Sequence, residues 1–158
     1  MDWEKTLKTL QCRAVLSVFI GLLGSLLLIS PAHAAEDYAI FSLDLRFEKI
    51  SINKARKLYR GKTKRLNGNR VELSDWPENS AERERFYQLL LGKNAAQMNA
   101  HWAGLSFSGK ARHPREIKTA SINSLVDWLG DKPDRIGYSP LSLVPQNANV
   151  LYVVKAEK

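Results

Sequence analysis

Three stretches of this sequence carry side chains able to do chemistry, and in each the chemistry is the holding of an anion. The first is Ser74-Asp-Trp-Pro-Glu-Asn79-Ser80-Ala-Glu82. Asn79 and Ser80 stand where a helix begins, and the free N–H groups of a helix start, together with its dipole, attract negative charge. The second is Ser106-Phe-Ser-Gly-Lys110-Ala-Arg112-His113-Pro-Arg115. Its donors are dense and Gly109 lets the backbone approach a ligand, so Lys110, Arg112 and Arg115 are candidates for phosphate or sulfate. The third is a run of nine basic residues from Lys49 to Arg70 with no acid among them. Lys54, Lys57 and Arg60 recur at helical spacing and give a cationic face suited to an anionic surface.

Each stretch also has an ordinary structural reading. Asn79 followed three residues on by Glu82 has the form of a capping box, and Asp75, Glu78, Glu82 and Glu84 would repel an oxyanion there. Arg83 and Arg85 offset those acids only if they point inward. The second stretch reads equally as a solvated loop, and the third as a solvated face that keeps the chain soluble. Trp76, Trp102 and Trp128 read as core aromatics. Motifs for bond-breaking chemistry are missing: there is no G-x-S-x-G elbow, no H-E-x-x-H and no P-loop. His101 and His113 are twelve residues apart and lack a carboxylate arranged for a metal. The expectation is a binding protein without catalysis, cofactor or metal.

The elements that must position these residues alternate. Tyr38–Leu43 reads as a buried strand. Ser51 caps a helix from Ile52 to about Tyr59, stopped by Gly61. Asn67-Gly68 marks a turn, and Val71–Leu73 a short strand beyond it. A helix follows the Asn79-Ser80 start, with Phe86, Leu89 and Leu90 on one face, and ends at Gly92. A second spans Ala95 to Ala103, with Met98 and Trp102 inward. Ser121 caps a third from Ile122 to Leu129, and Pro133 lies beyond its end. Ile136–Tyr138 and Val150–Val154 are the remaining strands. Four strands alternating with helices imply a small mixed sheet with helices on its faces.

The N-terminus reads as an export signal. Lys5, Lys8 and Arg13 precede an apolar run of 16 residues from Ala14 to Ile29, shorter than the roughly 20 that span a bilayer. Ala32-His33-Ala34 fits a signal-peptidase site, with cleavage expected between Ala34 and Ala35. The expected domains are a signal peptide, 1–34, and one domain, 35–158, with no stable membrane span after cleavage. The lone Cys12 leaves with the signal, and because it precedes the apolar run it does not mark a lipoprotein. Of 24 basic and 16 acidic residues, removal of three and two leaves 21 and 14, a net charge of +7. Such a field favours small oxyanions or anionic envelope components. Export argues against nucleic acid as the partner.

Several strings, taken in order, carry a family resemblance. They are Leu58-Tyr59-Arg60-Gly61-Lys62 followed by Asn67-Gly68, then Ser80-Ala-Glu-Arg83-Glu-Arg85-Phe86 closing with Leu91-Gly92-Lys93. Trp102, Phe107-Ser108-Gly109-Lys110 and Pro114 follow, and Ile136-Gly137-Tyr138 comes last, after Pro133-Asp134. From about Tyr38 to Tyr138 the chain resembles the phosphate-binding proteins of ABC importers, and more closely a group of short exported proteins related to them. The resemblance implies an α/β fold, a single lobe of a type II periplasmic binding protein. It also implies phosphate or a similar oxyanion as ligand, with Asn79, Ser80, Lys110 and Arg112 as donors. Of the family's Ser-Gly-Thr motif only Ser80 is kept, since Ala81 stands for the glycine and Glu82 for the threonine. The alternative expectation is a lobe that has lost its ligand and serves as a protein- or envelope-interaction module, pairing with a second copy or an envelope protein.

Overall fold

The computed structural model describes residues 36–156. Tyr38–Ser42 forms β1, and its five side chains are all buried, as expected of a short apolar run covered on both faces. Helix α1 (Ile52–Tyr59) starts at Ser51, whose hydroxyl oxygen accepts from the Lys54 N–H at 3.3 Å. Arg56 and Lys57 in its last turn favour the negative end of the helix dipole. Arg65–Leu66 (β2) and Asn69–Arg70 (β3) make a two-residue-per-strand hairpin around Asn67-Gly68. Strand β4 is Glu72–Asp75 rather than the expected Val71–Leu73. The Val71 N–H is turned to the Lys64 carbonyl at 2.9 Å, so sheet pairing begins only at Glu72.

Helices α2 (Ala81–Leu91) and α3 (Ala95–Phe107) follow. The expected box at Asn79 and Glu82 does not form: Ser80 is the N-cap and Arg83 the third helical residue, donating its N–H to the Ser80 hydroxyl oxygen at 3.3 Å. A true capping box opens α3 instead, between Asn94 and Gln97. Helix α3 runs to Phe107, four residues past the expected end, because Gly104 and Leu105 are tolerated inside it and nothing breaks it before Ser108-Gly109. Arg115–Glu116, just past the loop expected over Ser106–Pro114, forms β5, a strand that was not expected. Helix α4 is Ile122–Gly130, capped by Ser121. Strand β6 spans Arg135–Pro140, and β7 spans Asn149–Val154.

The sheet order is β5-β4-β6-β1-β7. β4 runs parallel to β5 and β6, while β1 lies antiparallel between β6 and β7. A mixed sheet of five strands with helices packed on it is the expected architecture, enlarged by one short edge strand. The core against it is aromatic. The rings of Phe86 and Tyr138 stack at 3.5 Å between centroids, and Tyr59 meets both edge-on.

Two glycines make this packing close. Gly137 sits mid-strand in β6, where an added Cβ would lie 2.8 Å from a Leu125 methyl carbon and 2.9 Å from the Ser74 hydroxyl oxygen. Gly61 has φ +69°, and a Cβ there would fall 2.8 Å from the Trp102 ring. The first lets α4 lie against the sheet. The second lets Trp102 lie over the end of α1.

Candidate functional site: a cationic groove beside a self-neutralised helix start

Glu72, Arg115 and Arg135 are the first residues of the parallel strands β4, β5 and β6. All three line a groove of about 660 Å³ at that end of the sheet. The hairpin adds Lys64 and Arg70 to its wall, and the β5 region adds Arg112 and Lys118. The far side holds Asp131, Lys132 and Arg135 beyond α4. The two acids are already engaged. Arg135 donates to Glu72 at 3.2 Å and to Asp131 at 3.0 Å, and Lys132 lies 3.7 Å from Glu72. Lys64, Arg70, Arg112, Arg115 and Lys118 have no ion-pair partner among the described residues. Five uncompensated cations thus converge on one concavity. They come from two segments far apart in sequence, the basic run that ends at Arg70 and the stretch after Lys110. Leu58, Val71, Leu73, Trp102 and Trp128 also line the groove, with Leu58, Val71 and Trp102 buried in the core behind.

The start of α2 is a different environment. Arg83 points inward and is only 7% exposed, and Asp75, at the end of β4, is 4% exposed. The Arg83 Nε donates to Asp75 Oδ2 at 3.0 Å, and the Tyr87 hydroxyl donates to the same oxygen at 2.9 Å. The Tyr138 hydroxyl donates to Oδ1 at 2.5 Å. Arg83 also donates through Nη2 to Asn99 at 2.7 Å, and Asn99 in turn donates to Glu78. Burial pushes the Asp75 carboxyl above its ordinary range, against the pull of Arg83, Tyr138 and Tyr87. Burial would lower Arg83, but the facing Asp75 charge outweighs it and holds the guanidinium higher still. Burial next to the Asp75 charge drives Tyr138 and Tyr87 well above the ordinary phenol value. An internal carboxylate therefore takes the place that a bound anion would occupy beside Arg83.

A smaller cavity, about 380 Å³, borders this cluster at the ends of β4 and β5, lined by Asp75, Arg83, Asn99, Ser106 and Glu116 among others. Trp102, His113 and Pro114 line both cavities and so divide them. His113 Nδ1 donates to the Pro114 carbonyl oxygen at 2.7 Å.

Of the residues singled out in sequence, Arg112 and Arg115 stand in the groove. Asn79, Ser80 and Lys110 line neither cavity. Lys54, Lys57 and Arg60 also lie outside the groove, and Arg56 is tied to the Leu90 carbonyl at 2.9 Å. Lys118 and Lys132 were not anticipated, because nothing in their local sequence distinguishes them from solvated lysines. The Asp75–Arg83–Tyr87 cluster had a legible trace: Arg83 and Tyr87 are four apart and share one face of α2. Among the described residues no helix is long and apolar enough to cross a membrane, and no group of three or more His, Cys, Asp or Glu gathers to hold a metal.

No family model and no curated protein matches the sequence. Solved structures do match. One is a candidate phosphate ABC transporter substrate-binding protein from Clostridium perfringens with bound phosphate, at TM-score 0.55 and 11% identity, covering 73% of this chain and 44% of that one. Another is an ABC-type phosphate transport receptor from Vibrio cholerae, at TM-score 0.55 and 10% identity, covering 73% and 45%. The chain spans less than half the length of either. These two likenesses show that the chain shares the fold of a little under half of each of those proteins, a mixed sheet with helices packed on it.

Proposed function

We propose that this chain is an exported, non-enzymatic binding domain that takes phosphate or a similar small oxyanion in the groove at the head of β4, β5 and β6. The observation that carries the reading is the set of five cations there without partners among the described residues, Arg112 and Arg115 among them. Guanidinium groups hold tetrahedral oxyanions in two-point contacts that lysines do not reproduce. The fold relatives, one of them holding phosphate, supply the choice of anion. Export through residues 1–34 and cleavage before Ala35 complete the proposal, and those residues lie outside the described ones. A mass of the secreted protein starting at Ala35 supports export, whereas an intact N-terminus in the cytoplasm removes it.

The binding test is thermal unfolding of the exported protein with phosphate, sulfate or chloride at matched ionic strength. A ligand at 100 times its Kd stabilises by about 2.7 kcal/mol, which shifts the midpoint by several degrees. A rise with phosphate that Arg112→Ala and Arg115→Ala abolish is the expected result. Equal rises with all three salts would leave only general screening. One observation favours a second reading, a protein- or envelope-interaction module: Asp75 already neutralises Arg83 at the helix start that the family uses for its ligand. That reading expects a stable second copy or envelope partner in sedimentation and cross-linking, and a strict monomer without one counts against it.

A further inference from the structure

The groove carries more positive charge than one phosphate ion can answer. Lys64, Arg70, Arg112, Arg115 and Lys118 all line it, all are exposed, and none has an ion-pair partner among the described residues. Its two acids, Glu72 and Asp131, are already held by Arg135 and Lys132. A phosphate group carries about two negative charges at most. Three of the five cations would still face water and one another.

The cations are also spread over both sides of the sheet end. Gly137 of β6 faces α4, its Cβ position 2.8 Å from a Leu125 methyl carbon. The next residue, Tyr138, points to the opposite face and stacks on Phe86 of α2. Helix α4 therefore covers one face of the sheet, and α1 and α2 the other. The groove takes its lining from both: Lys132 follows α4, while Lys64 and Arg70 come from the hairpin after α1. It thus passes over the starting ends of β4, β5 and β6 from one face to the other, with Arg112, Arg115 and Lys118 around the edge strand β5. A volume of about 660 Å³ suits a whole ligand rather than a single ion. A compact ion meets the cations of one wall, whereas a chain meets both.

We infer that the groove takes a linear chain of phosphoryl groups, three or more joined by anhydride oxygens, laid across the sheet end. Arg70, Arg112 and Arg115 each pair two oxygens of a phosphoryl unit, and Lys64 and Lys118 act as point charges on the remainder. This ligand class rests on the oxyanion reading of the same groove. The chain belongs to an inorganic oligophosphate or to a nucleoside triphosphate, and the chemistry of recognition is the same.

The experiment is calorimetric titration of the exported protein with inorganic phosphate, tripolyphosphate and ATP, without divalent cations and at matched ionic strength. Tripolyphosphate is expected to bind about tenfold or more tighter than inorganic phosphate, since three further exposed ion contacts of ordinary strength multiply to that ratio. Lys64→Ala/Arg70→Ala removes exposed side chains from one wall and should bring tripolyphosphate to within about threefold of inorganic phosphate. An unfolding midpoint no lower than the parent's shows that this variant is folded. Lys54→Ala/Lys57→Ala removes the same charge outside the groove and should leave both affinities as in the parent. ATP as tight as tripolyphosphate assigns a nucleoside triphosphate as source; ATP at the level of inorganic phosphate assigns the inorganic chain. Heat from tripolyphosphate with none from inorganic phosphate keeps the inference and retires the single-ion reading. Tripolyphosphate no tighter than inorganic phosphate overturns the inference and leaves the oxyanion reading standing. An equal loss from the Lys54/Lys57 variant also overturns it, because binding would then follow net charge and not the groove. If neither anion binds, both readings fall.

Discussion

Asp75 shows how one side chain redirects a site. A carboxylate this buried is stable only because Arg83, Tyr87 and Tyr138 all donate to it. Asp75→Ala strands the Arg83 charge in the interior and is expected to cost about 3–5 kcal/mol, read as a fall in the denaturation midpoint. The double variant Asp75→Ala/Arg83→Met removes both charges and should recover most of that loss; a double variant as unstable as the single one would mean that packing, not charge, was lost. The tyrosines make a second prediction at this scale. Burial holds Tyr59, Tyr87 and Tyr138 well above the ordinary value of 10.0, and burial pushes Tyr38 up to about 12. A group whose folded pKa is raised favours the protonated fold, so its stabilisation is whole below 10 and is lost as pH climbs through the folded value. Stability should therefore fall from about pH 10 upward, and the tyrosinate absorbance of these residues should appear together with loss of helical circular dichroism. Their ionisation in a chain that stays folded would contradict the burial.

At the scale of the element, α2 and the end of α1 serve the site differently. Ser80 caps α2 through its own hydroxyl oxygen and lines neither cavity. Ser80→Ala should cost about 1 kcal/mol of stability, as lost caps do, and leave the phosphate affinity unchanged. A loss of affinity at intact stability would move the site back to this helix start. Gly61 joins α1 to the hairpin at a positive φ, with Trp102 pressed against it. Gly61→Ala combines backbone strain with overpacking and should cost about 2–3 kcal/mol in thermal unfolding. It should also weaken groove ligands, because Trp102, which lines the groove, would have to shift. The elements themselves were largely legible. α1, α4 and the strands at 38 and 136 follow from apolar periodicity and from caps at Ser51 and Ser121. β5 was not, because two exposed residues, Arg115 and Glu116, pair with β4 through their backbone alone.

For the whole molecule, the consequence of gathering cations is repulsion. Lys64, Arg70, Arg112, Arg115 and Lys118 face a common concavity without compensating acids. Added salt should raise the unfolding midpoint by screening them, since the Debye length falls to about 10 Å at 0.1 M. Arg112→Ala/Arg115→Ala should raise the midpoint at low salt and flatten its salt dependence. A variant as salt-sensitive as the parent would mean that the repulsion lies elsewhere on this basic chain. The same repulsion, relieved by an anion, is the source of the affinity proposed for the groove.

Local order was a property of the sequence. Caps, turn glycines and apolar spacing act over a few residues, and those distances are written in the chain, so the alternation of helix and strand and the basic character of the domain could be read directly. Whether a charge is free or spent depends on what the sheet brings beside it. Asp75 and Arg83 are eight residues apart and looked like opposing neighbours of a helix start, yet burial beneath Tyr138, 63 residues away, turns them into one neutral unit. Arg70 ends β3 and Arg112 precedes β5, and they share a groove because the parallel strands β4, β5 and β6 of the mixed sheet all start toward that side. Electrostatic pairing acts through space, so tertiary structure alone decided which of the basic residues are left to bind.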